Sequence, residues 1–96
     1  MDKQINEKLD KYLDLTKKAL DKIKISKENK IDLTIKEISD DLLDLSKRYY
    51  KDALHFKEKG DLLNAFAAVN YAHAFLDAGA RIKVFDVKDS KLFMVD

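Results

Sequence analysis

At 96 residues the chain has room for one small core. With no cysteine, no proline and only two glycines, it has neither a disulfide framework nor the turn punctuation that a β-sheet needs. Its 19 basic and 18 acidic residues leave a net charge of +1, so no global field draws in nucleic acid or an acidic membrane. The expectation is a single all-α domain over residues 1–96, soluble in a reducing compartment and therefore cytoplasmic.

The opening Met1-Asp-Lys-Gln-Ile-Asn-Glu7 is charged and lacks the apolar segment of a secretory signal. From there Ile5, Leu9, Tyr12, Leu13, Thr16, Ala19, Leu20 and Ile23 recur in three- and four-residue steps, which predicts a first helix over about residues 2–24. Lys and Asp fill its other side, with Asp14 placed four residues before Lys18. The rhythm is lost between Ile25 and Leu33, where Ser, Asn and Asp collect; this is the first connection.

Thr34-Ile-Lys-Glu37 has the spacing of a capping box and opens a second helix over about 34–59. Its apolar seam is Ile38, Leu42, Leu45, Tyr49, Ala53 and Phe56. Lys59-Gly60-Asp61 ends it: Gly60 takes the left-handed closing position and Asp61 caps the next helix at once, so the two must lie antiparallel.

The third helix, about 62–83, almost stops using charge. Its central stripe is Ala65, Val69, Ala72, Leu76 and Gly79, flanked by Leu62 and Phe66 on one side and by Ala68, Phe75 and Ile82 on the other. The longest uncharged run, Leu62 to Leu76, is too short and too interrupted by Asn64, Asn70 and His73 to span a membrane. Beyond it Phe85, Val87, Leu92, Phe93 and Val95 have no helical period. Burying each large side chain is worth about 1.5–3 kcal/mol, so the tail is expected to fold back on the helices. The predicted architecture is an up-down-up three-helix bundle, the first helix covering the hairpin of the other two, with a packed C-terminal tail.

Across residues 47 to 86 the run Tyr49-x-x-Asp52-Ala53-x-x-Phe56, then Gly60-Asp61, then Ala65-Phe66, then Asn70-Tyr71-Ala72-x-x-x-Leu76-Asp77-Ala78 resembles the archaeal domain-of-unknown-function family numbered 357. Ala74 stands where that family often has glycine. The resemblance implies a small helical bundle of an archaeal cytoplasm and, by the family's own name, no assigned activity.

Candidate chemistry is sparse. Asn70, His73, Asp77 and Arg81 recur at three- and four-residue spacing and share a face. They form either a polar site, with His73 as proton carrier and Asp77 as its orienter, or structural links from Asn70 and His73 to the second helix and from Arg81 to Asp40 or Asp41. Asp52 sits near the seam. If buried it must accept a hydrogen bond from Asn70 or a tyrosine, and otherwise it belongs to a binding surface. His55 and His73 lie far apart along the hairpin and neither has a companion ligand at the right spacing, so no metal and no cofactor is expected. Tyr49, Tyr50 and Tyr71 near Arg48 suggest a stacking platform, but the surrounding acids argue against nucleic acid.

Leu63, Ala67, Ala74, Ala78 and Phe85 fall on the side of the third helix turned away from its stripe, apolar where a surface helix carries charge. Either Leu92-Phe-Met-Val95 lies over this strip or another protein does. The leading expectation is a non-enzymatic interaction domain that binds an unknown protein partner or forms a homo-oligomer through the third helix. The alternative is a small-ligand or enzymatic pocket around Asp52, Asn70, His73 and Asp77.

Overall fold

A computed structural model describes residues 2–28 and 30–94. It contains three helices, α1 (Asp2–Lys22), α2 (Ile35–Glu58) and α3 (Leu62–Arg81), and no strand among the described residues. The all-α class and the helix positions follow the expectation, with each end within two residues of the predicted one. By compactness the chain divides into two units, Met1–Ile31 and Asp32–Asp96.

The first unit is α1 and the segment after it. Asp14 meets Lys18 at 2.9 Å and Lys17 meets Asp21 at 3.6 Å, pairs four residues apart on the polar side of the helix. All four side chains are solvated, so the pairs contribute little. Leu9, Tyr12, Leu13 and Leu20 are exposed, because a single helix has no second element within its unit against which to bury them.

The second unit is an antiparallel hairpin. At its start the capping box forms in full: the Thr34 hydroxyl accepts the Glu37 N–H at 3.1 Å, and a Glu37 carboxylate oxygen accepts the Thr34 N–H at 3.2 Å. One turn on, Asp40 takes the Lys36 ammonium at 2.6 Å and holds it above the usual lysine range, chiefly through that hydrogen bond. Gly60 closes α2 at φ 78°, and Asp61 opens α3 by accepting the Asn64 N–H at 3.2 Å.

The helices meet through small residues. Ala53, Ala68, Ala72, Gly79, Ala80 and Ser46 are buried. Small side chains let two backbones approach closely, and at the centre the Ser46 hydroxyl donates to the Ala72 carbonyl of the facing helix at 2.9 Å. Around that seam Tyr49 packs edge-on to Tyr71 with centroids 4.5 Å apart and stacks on Phe75 at 5.9 Å. The expected stripe of α3 holds at Ala72 and Gly79, which are buried, and at Ala65 and Leu76, which are half-buried, and shifts only slightly round the helix at Val69. Ala68 is at the contact and Val69 remains 38% exposed, because an alanine admits the close approach of α2 that a branched side chain would hold off.

After α3 the chain turns back. Ile82 caps the helix and Lys83 adopts φ 67°; Val84 N–H then reaches the Gly79 carbonyl at 3.0 Å while the Val84 carbonyl accepts from the Ser39 hydroxyl at 3.0 Å. Phe85 folds onto Gly79, where a Cβ would lie within 2.9 Å of the ring's Cζ and nearer still to Cε2 and Cδ2. A turn at Asp89, whose carbonyl accepts the N–H groups of Leu92 and Phe93, brings Phe93 back beside α3. The tail thus packs on the hairpin through Phe85, Val87 and Phe93, each half-buried, while Leu92 stays exposed; Val95 lies outside the described residues.

Candidate functional site

The C-terminal tail and α3 together build one polar cluster. His73 and Asp77 are four residues apart on α3, and His73 Nε2 lies 3.5 Å from Asp77 Oδ1. The same oxygen accepts the Met94 backbone N–H at 2.9 Å. The Phe93 ring lies nearly parallel to the His73 imidazole, 21° between planes and 6.5 Å between centroids. The Asp77 side chain is a quarter exposed and that of His73 half exposed, so the tail covers the carboxylate more than the imidazole.

Of the residues singled out in the sequence, Asn70, His73, Asp77 and Arg81 keep to one face of α3, and His73 and Asp77 are in contact on it. Tyr49, Tyr71 and Phe75 mark one side of the hairpin. Asp52, three residues after Tyr49, shares that side and is exposed, so no buried brace is required of it. His73, two residues after Tyr71 and about 200° round the helix, is on the other side. Asn70 and Arg81 are exposed on the outer arc of α3. Asp40, one of the acids expected near Arg81, is engaged by Lys36. Asn70, His73 and Asp77 thus lie along α3, while Asp52 of α2 is on the side of the hairpin marked by Tyr49. Among the described residues no three His, Asp or Glu side chains gather as a metal site requires.

Of the tyrosines expected as an aromatic platform, Tyr50 and Tyr71 are 55% and 53% exposed and Tyr71 meets Tyr49 edge-on. Tyr49 is half-buried against Tyr71 and Phe75, and the neighbouring Arg48 guanidinium is paired with Asp44 at 3.0 Å. Among the described residues no helix is long and apolar enough to cross a membrane.

What α3 does present is an apolar outer arc. Leu63, Ala67, Ala74 and Ala78 are exposed, as the periodicity placed them. Phe85 is not with them: the helix ends at Arg81, so residue 85 leaves the 3.6-residue period and turns in to Gly79. Within the hairpin unit the flank expected to be covered is open too, with Leu62 at 68% and Phe66 at 66% exposure. Leu62, Phe66, Val69 and His73 follow one another by four, three and four residues, so this open flank runs directly into the residue on which Phe93 rests. The part played by Phe93 was not read from the sequence; the Asp89-Ser90 turn signal before an apolar triplet was the available clue.

An all-helical protein built on a tight hairpin with alanine-lined packing and a returning C-terminal strap is the class these features define. The model of the family described as "Protein of unknown function (DUF357)" matches residues 11–85, and the chain belongs to that family. The match reaches well upstream of the residue 47–86 run that carries the visible motif. No curated protein and no solved structure matches the chain.

Proposed function

We propose that this protein works in the cytoplasm by binding polypeptide and not by catalysis, and that the polypeptide is a second copy of the same chain docked along α3. One observation carries the reading. Leu62, Leu63, Phe66, Ala67 and Ala74 are exposed on a continuous arc of α3, and from Leu62 to Leu76 there is no Asp, Glu, Lys or Arg. An uncharged arc of that extent on a chain in which charges otherwise fall at close intervals marks a protein contact.

The occupant follows from chemistry. A highly charged partner finds nothing on this arc to address, whereas an identical arc matches it, and a net charge of +1 sets almost no repulsion between copies. Large Leu63 and Phe66 beside small Ala67 and Ala74 give ridges and grooves that interdigitate about a two-fold axis. Asn70, exposed on the same arc, carries both a donor and an acceptor and so is able to pair with its own symmetry mate.

Sedimentation equilibrium across micromolar to millimolar protein tests this. A dimer is expected for the wild type and a monomer of unchanged helical circular dichroism for Ala74→Glu. A wild type that stays monomeric throughout the range defeats the proposal.

A further inference from the structure

We propose that the C-terminal strap, residues 86–94, is an autoinhibitory contact that limits pairing of α3 with a second copy; the inference rests on the self-association reading above. The strap lies where the pairing arc would continue. His73 is the next residue in the series Leu62, Phe66, Val69, and Phe93 is stacked on it. Asp77 stands between the exposed Ala74 and Ala78, and it is held by the Met94 N–H at 2.9 Å.

A helix seated on another needs an apolar stripe about 100° wide carried over several turns. A second α3 laid along Leu62, Phe66 and Ala67 and continued toward Ala74 and Ala78 meets the Phe93 ring at the His73 turn and the Met94 backbone at the Asp77 turn. With the strap in place, pairing is confined to the arc from Leu62 to Ala74. With the strap displaced, the turn from His73 to Ala78 opens to the second copy and the contact lengthens by about one helical turn.

The strap is built to leave. Upstream it is fixed by Phe85 on Gly79 and by the Ser39 hydroxyl on the Val84 carbonyl. Downstream of that anchor Asp86, Lys88, Asp89, Ser90 and Lys91 are exposed. Among the described residues the far end makes a ring contact through Phe93 and a backbone hydrogen bond through Met94, with Val87 and Phe93 half-buried and Leu92 57% and Met94 62% exposed. Displacing the far end gives up the Phe93 ring contact and the Met94 hydrogen bond while the Phe85 and Val84 anchor stays in place. Segments held this weakly open ahead of the rest of the fold.

The full-length chain is its own assay. Phe93→Ala frees the strap, and its dimer dissociation constant in sedimentation equilibrium is expected to fall about tenfold relative to the wild type. Because the chain contains no cysteine, a bifunctional thiol cross-linker across His73→Cys and Phe93→Cys, whose native rings lie 6.5 Å apart, ties the strap to α3, and the same protein without the linker is the released form. The locked form is expected to pair more weakly than the same protein without the linker. An unchanged constant for Phe93→Ala with no difference between locked and released forms overturns the strap while leaving self-association standing. Weaker pairing of Phe93→Ala also overturns it, because Phe93 would then be part of the contact. Monomers in every case overturn the self-association reading, and the strap with it.

Discussion

The two ends of the hairpin, where α2 and α3 stop, use the same hydrogen-bond pattern with different residues. At the end of α2 Gly60 N–H reaches the Lys57 carbonyl at 3.0 Å and Asp61 N–H reaches the Phe56 carbonyl at 2.9 Å, around a glycine at φ 78°. At the end of α3 Lys83 N–H reaches the Ala80 carbonyl at 3.2 Å and Val84 N–H reaches the Gly79 carbonyl at 3.0 Å, around a lysine at φ 67°. Both are Schellman closures. In the first, glycine enters the left-handed region without steric penalty. In the second a residue with a Cβ is held there, and the left-handed conformation costs such a residue about 1–2 kcal/mol.

The neighbourhood explains the difference. No atom lies within 4 Å of a Cβ built on Gly60, so that turn is decided by backbone preference alone. The turn at Lys83 is held by tertiary contacts on both sides: Phe85 packed against Gly79, and the Val84 carbonyl bonded to Ser39 of α2. A glycine is still needed at the second end. It stands four residues earlier, at position 79, where what is required is room for the ring and not freedom of φ.

Substitutions at these positions sharpen the contrast. Gly79→Ala is expected to have the largest effect, because the new methyl occupies the space of the Phe85 ring and must drive it out, at a cost of about 1–3 kcal/mol by urea denaturation. Loss of the Val84 and Phe85 amide protection in hydrogen exchange should accompany it, and full stability with protection retained would show that the ring is not the anchor. Gly60→Ala is expected to cost about 1–2 kcal/mol through backbone strain alone, leaving contacts elsewhere unchanged. Lys83→Gly goes the other way. It relieves the left-handed penalty but adds freedom to the unfolded chain, for a net gain of about 0.5 kcal/mol in chemical denaturation. A loss of stability there would mean that Lys83 is held by contacts of its own side chain.

The same contrast accounts for what could be read from the residues alone. Both ends of α2 are legible because Thr34-x-x-Glu37 at its start and Lys59-Gly60-Asp61 at its end are local signals, each completed within a few residues of chain. The end of α3 was placed two residues late because nothing local marks Lys83 as a stop. The site divided in the same way. The His73–Asp77 pairing follows from helical spacing, but that Phe93 would rest on His73 and Met94 on Asp77 depends on a turn at Asp89 and on where the tail is anchored. Phe85 was assigned to the outer arc by extending a period that the chain had already left.

By itself the sequence determined the class, the three helices, the caps at Thr34, Gly60 and Asp61, and Ala53, Ala72 and Gly79 as buried small residues, because periodicity and capping are properties of short stretches of backbone and side chain. Tertiary structure decided the slight shift that puts Ala68 and not Val69 in the contact, the left-handed Lys83, the ring on Gly79 and the course of the strap over His73 and Asp77. Each of these is a competition between groups distant along the chain for the same few ångströms of space, and the winner is fixed only when both helices and the tail are in place.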